Sequence, residues 1–91
     1  MSKPIDAECQ FVKIKINKSL WPYIESKPLH PSQKVTERTE AYTVLQLEII
    51  PNYEFYAQVF GFGPAVEVLE PVDIRDVIRQ RLEESFKKYV N

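Results

Sequence analysis

Two segments of this 91-residue chain alternate between apolar and polar side chains, and they constrain its fold more than any other feature. In the first, QFVKIKI at residues 10–16, a valine and two isoleucines fall on one side and two lysines on the other. In the second, AYTVLQLEII at residues 41–50, a threonine, two leucines and an isoleucine share one side. Because successive side chains of a strand point to opposite faces of a sheet, both patterns predict half-buried strands.

Two short segments have the end signals of helices. LWPYIE at residues 20–25 predicts a helix of at most two turns, with Asn17 or Ser19 as its N-cap and its proline in the first turn. YEFYAQVF at residues 53–60 has apolar side chains at helical spacing and follows Asn52, a favourable N-cap residue. Gly61 or Gly63, just beyond this second segment, is expected to end the helix.

The last predicted helix is the longest, and Pro71 and Asp73 open it. Its apolar residues recur along one face, which is typical of a helix that packs against something. They are Ile74, Ile78, Leu82 and either Phe86 or Tyr89. Since this face carries more apolar surface than a free tail should, we expect the helix to dock on its own sheet or on a second copy of the chain.

The order of elements predicts the fold class. A polar, edge-like strand in QKVTERT at residues 33–39 precedes the second alternating strand, with a hairpin turn at Thr39 and Glu40 between them. A short strand in AVEVLE at residues 65–70 precedes the last helix. The order strand, helix, strand, strand, helix, strand, helix predicts an α/β (α+β) fold, a ferredoxin-like βαββαβ sandwich with an additional C-terminal helix.

Composition limits the partners and the compartment. With 12 basic and 13 acidic residues the net charge is −1, so no global positive field attracts nucleic acid to this domain. A single cysteine, Cys9, excludes an internal disulfide and favours a cytoplasmic location. No segment approaches the ~20 apolar residues that span a bilayer, so we expect no membrane partner. Residues 1–9 are interpreted as a linker and residues 10–91 as one domain.

The chain offers little for catalysis or metal binding. It has one histidine and one cysteine, far from the roughly four ligands that a zinc site needs, and no recognisable set of acid, base and nucleophile. We therefore expect no enzyme activity, no metal and no cofactor. Base stacking on the sheet is also disfavoured, because neither alternating strand has an aromatic residue at its middle.

A proline-flanked loop is the best candidate for a contact site. His30, Ser32 and Gln33 could face an effector or another domain together, or they could satisfy the backbone of their own loop, which we favour for His30. Lys34 follows directly in sequence, and Lys13 and Lys15 lie on the outward side of the first strand. Lysines in such positions could meet a phosphate or a carboxylate, but more often they are solvated.

Several motifs in order resemble the C-terminal extension (WCX) domain of the WYL-domain bacterial transcriptional regulators. The resemblance covers about residues 11–89. Its motifs are HPSQK at 30–34, PNYEF at 51–55, FGFG ending at Gly63, VEVLEP at 66–71, and IRDVIRQRL followed by Tyr89.

The resemblance implies a non-catalytic regulatory module that contributes to dimerisation and to effector sensing by an adjacent WYL domain. It also implies that a helix-turn-helix domain of the same full-length protein binds DNA, and that nucleic acid is a possible effector. The chain would then be a piece of a larger regulator. We expect dimer contacts from the last helix or from the open sheet face, through Ile78, Leu82, Phe86, Tyr42 and Val44. The alternative is a free-standing small-molecule sensor that binds its ligand between paired copies.

Overall fold

A computed structural model describes residues 9–90. The predicted order of strands and helices is confirmed, and the class is mixed α+β. The elements are β1 (Gln10–Asn17), α1 (Trp21–Ser26), β2 (Lys34–Arg38), β3 (Tyr42–Ile49), α2 (Tyr53–Phe62), a 3-10 turn (Gly63–Ala65), β4 (Val66–Glu70) and α3 (Val72–Tyr89). Most of the predicted linker, residues 1–8, lies outside the described residues, and Cys9 is exposed just before β1.

The four strands form one antiparallel sheet in the order β2-β3-β1-β4. The predicted alternation of β1 sets its register, because Ile14 lies opposite Leu45 on β3 and Val68 on β4. One face of β1 is consequently buried completely, as the period of the sequence predicts. β2 is exposed along its whole length, which confirms that it is an edge strand.

The core lies on one face of the sheet, where the apolar side of the strands meets the three helices. Each helix contributes one or two buried side chains, and the strands supply the rest. The helical members are Trp21, Ile24, Phe55, Val59 and Ile74. The opposite face of the sheet carries the lysines of β1 and several carboxylates, and its side chains are mixed in charge.

Helix ends follow the sequence at α2 but not at α1. Asn52 caps α2, since its Oδ1 accepts a hydrogen bond from the Phe55 N–H at 2.9 Å. Gly63 ends that helix at a positive φ of 65°, a conformation that glycine adopts at no steric cost. The prediction for α1 was wrong: its N-cap is Leu20, and no side chain caps it. Asn17 contributes only its carbonyl oxygen, which accepts the Leu20 N–H at 3.0 Å and forms a turn.

Only the beginning of α3 packs on the sheet. Ile74 is 2% exposed and belongs to the core, and Ile78 packs against the core at its edge. Every residue from Arg79 to Val90 is exposed. The expected docking on the chain's own sheet is therefore limited to the first turns of the helix. None of the helices in residues 9–90 is long and apolar enough to cross a membrane.

Candidate functional site

A groove of about 530 Å³ separates the start of α3 from α2 and β4. Its floor and walls are mainly apolar, and four charged residues stand along its rim. The apolar lining comprises Val59, Phe60, Pro64, Val66, Val68, Ile78 and Leu82, and the charged rim comprises Glu67, Arg75, Asp76 and Arg79. Helix α3 forms one wall of the groove, to which it contributes Ile78 and Leu82.

The charges on the rim are already paired with one another. Arg75 Nη1 donates to the carbonyl oxygen of Val68 at 2.8 Å and lies 3.4 Å from Glu67 Oε2. Arg79 lies 3.8 Å from Asp76 Oδ1 and 3.4 Å from Glu83 Oε2. Each charged residue of the rim is therefore already in an ion pair and is not available to bind a free ion. The chemistry of the groove favours an apolar occupant.

An apolar stripe on α3 continues from the groove to the end of the helix, and we call it the α3 stripe: Ile78, Leu82, Phe86 and Tyr89. Ile78 is half-buried, whereas Leu82 is 53% exposed and Phe86 is 66% exposed. Ile78 and Leu82 also line the groove. The three candidate dimer residues on this helix thus share one face, and that face is continuous with an open apolar groove.

The two candidate dimer residues on the sheet, Tyr42 and Val44, are less available. Val44 is only 4% exposed, although it lies on the face away from the core. The Lys15 ammonium lies 5.0 Å from the centre of the Tyr42 ring and 3.7 Å from Glu67 Oε1. Tyr42 also donates its hydroxyl to Glu37 Oε2 at 3.3 Å. Around Tyr42 and Val44 this face therefore offers a network of polar contacts and little free apolar surface.

The His30 loop uses its polar groups internally. The Ser32 hydroxyl accepts the Glu48 N–H at 2.8 Å, which attaches the loop to β3. His30 Nδ1 accepts the Ser32 N–H at 3.0 Å and lies 2.7 Å from the Ser32 hydroxyl oxygen. Gln33 Oε1 accepts the Leu29 N–H at 2.9 Å. These contacts agree with the favoured interpretation, in which His30 maintains the shape of its own loop.

The short distance between His30 and Ser32 does not make a nucleophile and base. Because Nδ1 accepts the backbone N–H of Ser32, the neutral ring carries its proton on Nε2. The Ser32 oxygen is held by the backbone N–H of Glu48, and it lies 3.2 Å from the Glu48 carbonyl oxygen. A catalytic pair would also need a third group that orients the base.

The remaining candidate residues lie on the sheet face away from the core. Pairing across β2, β3 and β1 sets Lys34, Gln46 and Lys13 in one row, which continues to Glu70 on β4. Lys13 and Lys34 are thus brought together, whereas the side chains of His30, Ser32 and Gln33 belong to the adjacent loop. Lys34 is exposed, and Lys13 is half-buried between its neighbours.

Sequence reasoning missed the groove although it predicted several of its lining residues. It placed Val66 and Val68 on a strand and Ile78 and Leu82 on a helix. No local pattern indicates that β4 lies beside α3, so the sequence gives no sign that these side chains share a cavity. No sequence motif marks Arg75 either, since its role is to donate a hydrogen bond to the backbone of β4, and the sequence does not show that β4 is adjacent.

The chain matches one known family. The family model described as WCX domain matches residues 10–85, which include all four strands, α1, α2 and most of α3. No curated protein matches the sequence.

Proposed function

The chain belongs to the WCX domain family, and on that premise we propose that it is a non-catalytic regulatory module of a WYL-type bacterial transcriptional regulator. In this proposal the module helps two regulator subunits to pair and contributes to effector sensing by the adjacent WYL domain. A helix-turn-helix domain of the same full-length protein binds DNA in the cytoplasm. Nucleic acid is the class of effector that the resemblance suggests for the full-length protein.

The α3 stripe beside the open groove is the observation that carries the pairing proposal. Helix α3 has 18 residues and is about 27 Å long, and every residue of its second half is exposed. Soluble domains seldom leave a continuous apolar face uncovered next to an apolar groove. In a second copy of the chain, the same apolar stripe is available to cover this face. A two-fold axis between the copies makes each stripe cover the other.

An antiparallel pair of α3 helices centred on Leu82 explains how the two surfaces would meet. In that arrangement Phe86 of one helix lies opposite Ile78 of the other, because both residues are four positions from the centre. Ile78 lines the groove, so Phe86 of the second copy would enter it. Stable interfaces bury about 800 Å² on each partner, which one helix face hardly provides, so we expect association of the isolated domain to be weak.

The test compares two variants of α3 that change the charge equally. Leu82→Glu places a carboxylate at the centre of the proposed pair, whereas Gln80→Glu adds the same charge on another face of the same exposed turn. Light scattering on a size-exclusion column measures the mass over a range of concentrations. We expect the native chain and the Gln80→Glu variant to approach twice the 10.7 kDa chain mass at high concentration, and Leu82→Glu to remain a monomer.

Two outcomes would contradict pairing through α3. One is a native chain that stays monomeric at every concentration, and the other is a Leu82→Glu variant that pairs as well as the control. Circular dichroism of both variants checks that they remain folded, which we expect because both side chains are exposed.

The contact with the WYL domain is proposed for the row of Lys13 and Lys34. Both lie on the sheet face without helices, and neither forms an ion pair within residues 9–90. The His30 loop borders this face and holds its shape through the contacts of Ser32. Reversing the charge at Lys34 in the full-length regulator is expected to weaken the response to effector and leave DNA binding without effector unchanged.

We also propose that the module has no enzyme activity and that its fold is the ferredoxin-like sandwich. The internal hydrogen bonds of His30 and Ser32 support the first statement. The strand order β2-β3-β1-β4 and the contribution of α1 and α2 to one core support the second. An experimental structure of the full-length protein tests the fold and the domain contacts together.

The volume of the groove favours one alternative function, a free-standing small-molecule sensor. Ligand sites usually measure roughly 300–1,000 Å³, and this groove falls within that range. A ligand that stabilises the chain against heat while pairing two copies would support the sensor. A ligand at ~100 times its dissociation constant adds about 2.7 kcal/mol, which a thermal melt resolves easily.

A further inference from the structure

A second depression, of about 420 Å³, lies at the end of the sheet where β1 finishes and β3 begins. The pairs of Asn17 with Tyr42 and of Arg38 with Thr43 place the two surrounding loops side by side. Lys18, Trp21, Arg38, Glu40 and Tyr42 are among the residues that line it. None of these residues lines the groove beside α3, so the inference below does not rest on the proposed pairing.

Trp21 is the unusual member of this depression. It is 8% exposed, and its Nε1 is the one buried side-chain nitrogen or oxygen in residues 9–90 that has no hydrogen-bond partner. Buried polar groups in folded proteins almost always have a partner, because a buried donor without an acceptor is costly. Trp21 lines the depression, so its unmatched N–H is a buried donor that lacks an acceptor beside this cavity.

The cations around Trp21 indicate the charge of that acceptor. The Arg38 guanidinium lies 5.7 Å from the centre of the indole ring. Lys15, Arg75 and Arg79 all form ion pairs, but neither Lys18 nor Arg38 pairs with a carboxylate of the described chain. A guanidinium that stacks on an aromatic face keeps its edge free to donate hydrogen bonds in the plane of the group.

We propose that this depression binds a small oxyanion, either a phosphate ester or a carboxylate. The anion accepts hydrogen bonds from the Arg38 guanidinium and the Lys18 ammonium, and a further oxygen accepts the Trp21 N–H. Arg38 lies over the indole in the free chain, so the free edge of its guanidinium is the part that donates to the anion. The site combines two unpaired cations with a fixed donor, a set that suits the several acceptor oxygens of one anion.

The single tryptophan makes a direct test possible, since the indole N–H gives one cross-peak in a nitrogen–proton NMR spectrum. Inorganic phosphate and acetate are titrated separately into the native chain, with sodium chloride at matched ionic strength as the reference. We expect a saturable shift of the indole peak with at least one of the two anions and none with chloride. Saturation with phosphate alone assigns the site to phosphate-bearing ligands, and saturation with acetate alone assigns it to carboxylates.

Two arginine variants make the result specific. Arg38→Gln removes the proposed anion ligand, and we expect binding about tenfold weaker, as for the loss of a charge-assisted hydrogen bond. Arg81→Gln is the matched control, because Arg81 is also exposed and also lies over an aromatic ring, 5.3 Å from the centre of Tyr56. The control is expected to bind as the native chain does.

A shift that never saturates, or an equal affinity of Arg38→Gln and native chain, would overturn the proposal and leave Arg38 as a cover for the indole only. The rest of the spectrum reports whether each variant is folded. If Arg38→Gln loses the fold, Lys18→Gln replaces it, with the same expected loss of affinity and the same contrary result.

Discussion

The two halves of α3 carry the same apolar repeat but lie in different environments. In the first half, Ile74 is buried among side chains of the sheet and α2, and Arg75 is attached to the backbone of β4. In the second half, Leu82 and Phe86 repeat the spacing and remain exposed. A helical repeat of this kind indicates that a face will be covered, but it does not indicate which surface covers it.

The first half owes its position to contacts that are distant in sequence. Ile74 enters the core only because β4 leads directly into α3 beside the apolar face of the sheet. The second half is exposed along its whole length, and among the described residues no strand lies outside β4 at that edge of the sheet. The apolar face of the second half is thus free for a contact outside this domain.

Removing the buried anchor of the first half should have the largest effect. Ile74→Ala deletes three carbons from a core position and leaves a cavity, so we expect a loss of about 2–5 kcal/mol in the free energy of unfolding. Urea denaturation measures that loss, which should not depend on protein concentration. A loss below about 1 kcal/mol would mean that the first half of α3 is no better anchored than the second.

Arg75 attaches the same half by a polar contact, and its loss should matter less. Arg75→Ala removes the hydrogen bond to the Val68 carbonyl and the contact with Glu67. We expect about 1 kcal/mol, because the side chain is partly exposed and water replaces part of what is lost. Faster amide hydrogen exchange at the start of α3 should accompany the change, and unchanged exchange would contradict this role.

In the second half, truncation of the Leu82 side chain should hardly change the stability of the chain in dilute solution. Leu82→Ala is expected to change the free energy of unfolding by no more than about 0.5 kcal/mol when the chain is monomeric. At high concentration the same variant should lose the added stability that pairing gives the native chain, by mass action. Equal stability of variant and native chain at both concentrations would remove the second half of α3 from the pairing surface.

The smallest effect is expected at Tyr56, where α2 meets α3, and only in alkaline solution. Burial raises the pKa of the Tyr56 phenol above its ordinary value of 10.0, Arg81 opposes this, and Asp73 adds to it. A raised pKa in the folded state means that this contribution to stability is complete below pH 10 and is lost as the pH rises through the folded value. The Tyr56→Phe variant should therefore become more stable relative to the native chain only above about pH 10. Urea denaturation measures the free energy of unfolding of both proteins from pH 8 to pH 11, and a difference that stays constant over this range would contradict the prediction.

Patterns within single elements predicted most of the fold. The alternation of β1 and β3, the Asn52 cap and the glycine stop at Gly63 all depend on neighbours a few residues away. The cap of α1 was predicted wrongly because Asn17 uses its backbone in a turn and leaves Leu20 to begin the helix. Such competition between a side-chain cap and a backbone turn leaves no trace in residue type alone.

The sequence alone determined the strands, the helices and their apolar faces, because each depends on spacing within one continuous segment, and the order of its motifs determined the family. Only the tertiary structure decided which faces meet: that β4 lies beside α3 and opens a groove, and that Arg38 lies over the indole of Trp21. The physical reason is that both arrangements join residues from different elements. Their proximity follows from sheet register and from packing between elements. The periodicity of a single segment does not predict either of them.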